Sequence, residues 1–209
     1  MIKIENIETM GWEPAIRGMR NPMNSWDKSD SVKTFFQVDP INFLIGPNDL
    51  NLMMRLAKGG STHAKYRRMI TVYMDITAPL YWWHDMDIYK VGVVKNSCST
   101  KHKIHAKEFV LDDFSHDHLD DDGMECLKCT IEILNGYRER FLQHKNKDDW
   151  YHMQSLLPWC YNQKATMMLN YEVLTNIYRD RKDHKLDEFR DFCQMIRRLP
   201  YSQLITLEE

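Results

Sequence analysis

Residues 69–102 read MITVYMDITAPLYWWHDMDIYKVGVVKNSCSTKH, and the prediction of the fold starts from this stretch. Its first part, Met69–Ile76, alternates apolar and polar residues, which is the pattern of a half-buried β-strand. Pro79 then stands where a first helical turn can begin, because proline has a fixed φ and needs no N–H partner there. The stretch therefore predicts a strand followed directly by a helix with a bulky aromatic face.

The end of this stretch, Asn96–His102, is small, polar and rich in hydroxyl groups. Hydroxyl groups and a lysine so close together can bind an anion such as a phosphate. The alternative is a capped turn on a solvated loop, which the same residue types favour. The residues alone leave both interpretations open.

Three aromatic residues on the predicted helix, Tyr81, Trp82 and Trp83, form a cluster too large for one helix to hide against its own domain. Large aromatic side chains favour interfaces and buried pockets. We therefore expect a homo-oligomer.

Composition limits the class of protein. A chain of 209 residues can form one large domain, and with no linker in sight we expect a single domain over residues 1–209. The net charge of −2 gives no general attraction to nucleic acid or to a membrane. No apolar run has membrane-spanning length and no secretory signal is visible at the start. The 5 cysteines are thinly spread, which favours reduced thiols in a cytoplasmic protein.

Around the central strand, the pattern predicts an α+β fold in which a small sheet is packed by several helices. A further short strand is expected within residues 1–10. The predicted helices are Trp12–Arg20, 48–58, Gly123–Gln143, Trp150–Leu157, Tyr161–Arg179 and Leu186–Arg198.

The acidic, histidine-bearing run 103–122 precedes two cysteines, Cys126 and Cys129, and raises the question of a metal site. The residues do not follow the order of paired CxxC motifs or of a CxxC motif with spaced histidines, so no metal site is predicted. Acidic residues just before a helix are better explained as N-terminal caps. The two cysteines lie three residues apart on the predicted helix, and we expect them to be core thiols.

Two separated blocks of the chain resemble the flavin-dependent thymidylate synthases, which methylate dUMP with a folate and reduced FAD. That family has a strand, a proline-led helix, an Arg-His-Arg triplet and a loop reading Asn-Glu-x-Ser-x-Arg-Tyr. Here Ile88-Tyr89-Lys90 takes the place of the triplet and Asn96–His102 that of the loop. In the second block, Leu157-Pro158 is followed at family spacing by Asn170, Leu174, Asn176, Arg181, His184 and Glu188. His63, after Gly59-Gly60, is similar to the family's Gly-His.

The resemblance implies the fold of this family, FAD as the cofactor, and NADPH and methylenetetrahydrofolate as cosubstrates. It also implies a pyrimidine nucleotide such as dUMP as the ligand and a homotetramer as the assembly. The implied substrate-binding residues are Ser99, Lys101, Arg181 and Asn96. The implied cofactor-binding residues are His63, Tyr89, Lys90, Asn170, Asn176 and His184. No catalytic residue is assigned.

The chain departs from the family pattern at several charged positions. Lys101 replaces an arginine, which keeps the charge and loses the planar fork. Glu172 stands where the family has a cofactor-side arginine, and a carboxylate there would repel a pyrophosphate. Gln154 stands where a nucleotide-contacting arginine is expected. Two alternatives follow: a pyrimidine-nucleotide-modifying flavoprotein with a changed substrate, or a non-catalytic nucleotide-binding or assembly protein that has lost the flavin site.

Overall fold

The structure of the protein is a computed structural model that describes residues 2–34 and 43–208. Its strands are β1 (Lys3–Met10), β2 (Val32–Lys33), β3 (Phe43–Leu44), β4 (Thr71–Pro79), β5 (Val94–Ser97) and β6 (Asn162–Asn170). Its α-helices are α1 (Trp12–Arg20), α2 (Pro47–Lys58), α3 (Leu80–Met86), α4 (Thr100–Lys103), α5 (Asp121–His144), α6 (Lys147–Leu156), α7 (Tyr171–Arg181), α8 (Asp187–Arg197) and α9 (Gln203–Thr206).

The strands form a small antiparallel sheet with the order β1-β4-β6-β5. A second, two-stranded sheet pairs β2 with β3 in antiparallel register, with Val32 opposite Leu44 and Lys33 opposite Phe43. Helices account for most of the remaining elements. The predicted α+β fold is therefore confirmed.

The alternation that predicted the central strand is visible in the burial of β4. Ile70, Val72, Met74 and Ile76 are buried, whereas the residues between them are only half-buried. The helix α3 follows at Leu80, so Pro79 lies at its N-cap rather than in its first turn. Strand and helix follow one another as the sequence predicted.

The tryptophan pair of α3 is buried within a single chain, which contradicts the reason given above for an oligomer. Trp82 is 0% exposed and Trp83 is 3% exposed, and the two indole rings meet edge to face. The Trp83 Nε1–H donates to the backbone carbonyl of Gln163 at 2.9 Å. Because the chain itself covers both rings, they do not require a partner subunit. The homo-oligomer stays a prediction that rests on the resemblance alone.

The chain separates into two compact units. The first unit comprises Ile76–Ile88 and Asn96–Ala165, together with the start of the chain through Lys3. Its core includes Ile104, Phe109, Phe114, Leu127, Ile131, Leu134 and Met153. The second unit comprises Ile4–Asp75, Tyr89–Lys95 and Thr166–Glu209. Its core includes Trp12, whose ring lies 5.3 Å from the ring of Tyr171. The expectation of one domain over residues 1–209 stays a prediction.

The helix predicted over Tyr161–Arg179 is wrong in its first half, where the chain forms β6 before α7 begins at Tyr171. The buried residues of β6 alternate, as Ala165, Met167 and Leu169. The apolar Met168 between the last two hid that alternation. Asn170 ends the strand and caps the helix, since its Oδ1 accepts the backbone N–H of Val173 at 2.9 Å. Asn170 therefore starts a helix rather than lying inside one.

Two expectations about α5 have opposite outcomes. The acidic run does cap the helix, because Asp120 Oδ1 accepts the backbone N–H of Gly123 at 2.9 Å. The prediction of core thiols is wrong, because Cys126 and Cys129 are both exposed. The buried face of α5 passes through Leu127, Ile131 and Leu134, so the cysteines lie outside that stripe.

In the described part of the chain, no helix has the length and apolarity needed to cross a membrane.

Candidate functional site

Three of the predicted site residues lie in contact at the C-terminal end of α7, in the second unit. The Arg181 Nε–H donates to the Tyr89 hydroxyl at 3.1 Å. Arg181 Nη1 lies 2.9 Å from His184 Nε2. The structure thus brings together Tyr89, Arg181 and His184, which we call the Arg181 cluster.

Two aromatic rings lie close to the guanidinium of Arg181. Its Cζ lies 4.7 Å from the centre of the Phe189 ring and 5.9 Å from the centre of the Tyr89 ring. Both distances are within the range of cation–π attraction. Arg181 is therefore a cation held by its neighbours in the last turn of α7.

The hydroxyl of Tyr89 stays protonated at neutral pH. Burial raises the pKa of Tyr89, and the nearby Asp180 carboxylate acts in the same direction, whereas the contact with Arg181 lowers it. The net shift is upward. The phenol is positioned to donate toward Asp180 Oδ2 at 3.5 Å while it accepts from Arg181.

Two further predicted residues, Asn170 and Asn176, line a cavity of about 670 Å³ in the second unit. Asn170 is buried, and its amide also donates to the carbonyl of Gly92 at 3.3 Å. Gly92 has a φ of 69°, and a Cβ there would lie only 2.6 Å from Asn170 Nδ2, so the turn needs glycine. The lining of this 670 Å³ cavity is rich in basic side chains: Lys58, Arg67, Arg68, Arg179 and Lys182.

Glu172, the one carboxylate among the described residues that line this cavity, is paired. Arg67 donates to Glu172 Oε2 from Nε at 2.8 Å and approaches it from Nη2 at 2.7 Å. Arg67 Nη1 also donates to Thr175 Oγ1 at 3.1 Å and to the carbonyl of Leu204 at 3.2 Å. The expectation that Glu172 repels a pyrophosphate overlooked Arg67, which neutralises it.

In the first unit, the segment predicted to bind a phosphate is a capped turn. β5 ends at Ser97 and α4 begins at Thr100, and Ser99 Oγ accepts the backbone N–H of His102 at 3.0 Å. A serine hydroxyl that accepts one hydrogen bond can still donate its own proton. The capped turn weighed above is therefore present, and it leaves the hydroxyl hydrogen of Ser99 available for a second partner.

Two hydrogen bonds from α6 hold the backbone of this turn. The Trp150 Nε1–H donates to the carbonyl of Lys101 at 2.9 Å, and Gln154 Nε2 donates to the carbonyl of Thr100 at 3.0 Å. Gln154, which replaces an expected arginine, thus positions the turn. The side chain of Lys101 is exposed, and so is that of Asn96.

The remaining predicted residues lie apart from the cavity that Asn170 and Asn176 line. Lys90 is exposed. His63 is also exposed, and it lines a different cavity of the second unit. The roles predicted for all ten residues stay predictions.

Sequence reasoning missed the basic pair Arg67-Arg68, which follows Tyr66 and comes just before β4. A doublet of arginines next to the central strand was the available signal. The partner of Arg67 is 105 residues away in the sequence, so the ion pair itself could not be predicted from local pattern.

Comparison with known proteins places the fold. No family model matches the chain, and no curated protein matches it. Solved structures do share its fold over almost all of its length. The fold is that of the flavin-dependent thymidylate synthases.

Thymidylate synthase X from Helicobacter pylori, in a structure with FAD and dUMP, has a TM-score of 0.69 and 15% sequence identity, over 99% of this chain and 98% of that chain. A second structure of that enzyme with FAD and dUMP has a TM-score of 0.67, at 16% identity, over 97% of this chain and 98% of the other. A UMP/dUMP methylase from Streptomyces cacaoi, bound to 5-Br dUMP, has a TM-score of 0.57 and 10% identity, over 85% of this chain and 76% of that chain. At these identities the likeness is one of fold.

Proposed function

We propose that this protein is a flavin-dependent thymidylate synthase-like enzyme that methylates dUMP to dTMP with a folate one-carbon donor and reduced FAD. The observation that carries the proposal is the Arg181 cluster. The sequence predicts its members on two distant segments, and Arg181 and Tyr89 are 92 residues apart. They touch in a chain whose fold matches structures that contain FAD and dUMP.

The residues of the 670 Å³ cavity fit a flavin dinucleotide in size and in sign of charge. Pockets for small molecules and cofactors measure roughly 300–1,000 Å³. Arg68, Arg179 and Lys182 line the cavity, and a pyrophosphate prefers such donors. Asn170 and Asn176 line the same cavity. Bound reduced FAD would supply the hydride chemistry of the reaction.

In this proposal the substrate is held through its base and its phosphate. The guanidinium of Arg181 polarises the uracil carbonyls and stabilises the negative charge that develops as C5 attacks the one-carbon donor. Ser99 donates its hydroxyl proton to the phosphate, and Lys101 supplies a positive charge. Tyr89 and His184 act through Arg181, because their contacts fix the direction of its donors.

Calorimetric titration with dUMP tests the proposal. We expect the parent protein to bind dUMP, and Arg181→Ala and Lys101→Ala each to lower the affinity roughly ten- to a hundredfold, the effect of removing a charged hydrogen-bond partner. Matched controls are Arg198→Ala and Lys128→Ala, exposed basic residues that line none of the cavities described here. A parent that binds no pyrimidine nucleotide, or a pair of site variants that bind as well as the controls, would overturn it.

The products and the colour of the protein separate this function from its two alternatives. An absorbance spectrum of the purified protein, before and after addition of FAD, reports whether a flavin binds. Turnover with dUMP, methylenetetrahydrofolate and NADPH then reports whether dTMP forms. A flavoprotein that modifies UMP rather than dUMP would match the likeness to the Streptomyces methylase. A protein that binds nucleotide and never binds FAD would be the non-catalytic alternative.

A further inference from the structure

A second cavity, of about 620 Å³, lies within the second unit. Its walls come from the C-terminal end of α1, from the segment 22–28 that follows it, from α2 and from the segment 62–69. The segment 62–69 also borders the 670 Å³ cavity described above, which we call the first cavity. Arg67 and Arg68 line the first cavity, whereas Lys65 and Met69 line the second. The two cavities are therefore different sites on one segment.

Among the described residues that line this second cavity, every charged one is basic. They are Arg20, Lys28, Arg55 and Lys65, joined by His63. Of these, Arg20 is neutralised by the buried Asp49, at 2.6 Å. Within the described ranges, 2–34 and 43–208, no ion pair is formed by Lys28, Arg55 or Lys65. Cations gathered around a concave surface repel one another, and an anion between them removes that cost.

The wall that carries Lys28 is fixed by Arg20 and Asp49. Arg20 donates to the carbonyls of Ser25 at 3.1 Å and Lys28 at 2.9 Å. Burial alone would raise the pKa of Asp49, but hydrogen bonds from Ser31, Ser29 and Arg20 outweigh burial and lower it. Asp49 therefore stays ionised at neutral pH, and the wall is preformed.

The segment 62–69 is tied to α2 by Tyr66, whose hydroxyl donates to the carbonyl of Met53 at 2.8 Å. Burial raises the pKa of Tyr66, so this donor keeps its proton. The rest of the lining is largely apolar and includes Met19, Leu52, Leu56 and Met69. An inorganic ion would leave those side chains without contacts, whereas a ligand with an apolar body would cover them.

We propose that this second cavity binds a small organic anion that carries at least two negative charges on an aromatic or aliphatic body. Arg55 and Lys65 pair with the anionic groups, and the methionine and leucine side chains pack against the body. The inference does not depend on the proposed function, because it uses a different cavity and different cations.

Fluorescence and calorimetric titrations with two dianions test the proposal: 1-naphthyl phosphate and N-benzoylglutamate. Both carry an aromatic body, and they differ in having a phosphate or two carboxylates. We expect at least one to bind the parent protein, and Arg55→Glu and Lys65→Glu each to weaken that binding by about tenfold or more, as expected when a charged partner is lost. Both residues are exposed, so the substitutions do not disturb the core.

Two matched charge reversals locate the binding. Lys182→Glu alters the first cavity, and Lys128→Glu alters an exposed position on α5. We expect both to bind the dianion within about twofold of the parent, because surface charges away from a ligand have small effects. If neither dianion binds the parent, or if Lys182→Glu weakens binding as much as Arg55→Glu does, the second cavity is not the site. Failure of dUMP binding would leave these titrations unchanged, so the two proposals fail separately.

Discussion

Two regions predicted to hold the same substrate, the end of α7 and the turn before α4, present their cations in opposite ways. Arg181 lies near the rings of Tyr89 and Phe189 and donates a hydrogen bond to the Tyr89 hydroxyl. Lys101 is exposed on a turn whose backbone, rather than its side chain, is anchored to α6. An oriented guanidinium can direct a hydrogen bond at one atom of a ligand, whereas an exposed ammonium supplies charge without direction. In the function proposed above, we therefore expect α7 to direct a hydrogen bond to the base and the turn to supply charge to the phosphate.

The largest expected effect concerns the anchoring of α7 at its first turn. Arg67→Met removes the partner of Glu172, and the side chains of these two residues are only 4% and 12% exposed. An uncompensated buried charge costs about 3–5 kcal/mol of unfolding free energy. Urea denaturation followed by circular dichroism measures the loss.

The neighbouring Arg68→Met is the matched control, because Arg68 is exposed, and we expect it to change stability by no more than about 0.5 kcal/mol. The double variant Arg67→Met/Glu172→Met should be more stable than Arg67→Met alone, since no charge is then left buried. Equal losses for Arg67→Met and Arg68→Met would mean that α7 is not held by this pair, and the contrast between the two regions would fail.

A smaller effect is expected at the cap of the same helix. Asn170→Ala removes the side chain that accepts from the Val173 N–H, and loss of such a cap costs about 1–2 kcal/mol. Asn176→Ala is the comparison: it lines the same cavity from inside α7, where alanine is the better helix former. We expect urea denaturation to show a loss for the first variant and none for the second. If the two were equally stable, Asn170 would be no more than a cavity residue.

The sequence predicted those parts of the fold that depend on a local repeating pattern. The alternation from Met69 to Ile76 shows a strand because every second residue there is buried in β4. The sequence pattern did not distinguish the strand β6 from the helix α7. Met167, Met168 and Leu169 are consecutive apolar residues and fit both the two-residue period of a strand and the 3.6-residue period of a helix. The prediction of secondary structure was therefore wrong where the apolar pattern fits both a strand and a helix.

The candidate site was predictable in part, and for a different reason. Tyr89, Arg181 and His184 came from the resemblance, and the structure brings them together. The pairing of Arg67 with Glu172 joins positions far apart in the sequence and follows no spacing rule. That the carboxylate of Glu172 is balanced by the guanidinium of Arg67 can be seen only in the structure.

The smallest expected effect tests the turn. Gln154→Leu removes the donor to the carbonyl of Thr100 and leaves the charge of Lys101 in place. A neutral hydrogen bond contributes about 0.5–1.5 kcal/mol, so we expect dUMP affinity to fall severalfold, less than for Lys101→Ala. Calorimetric titration measures the change, with Ser155→Ala on the exposed face of α6 as the control. An affinity equal to that of the parent would show that the position of the turn does not matter. Lys101 would then act only as a charge, and its contribution should disappear as salt is added.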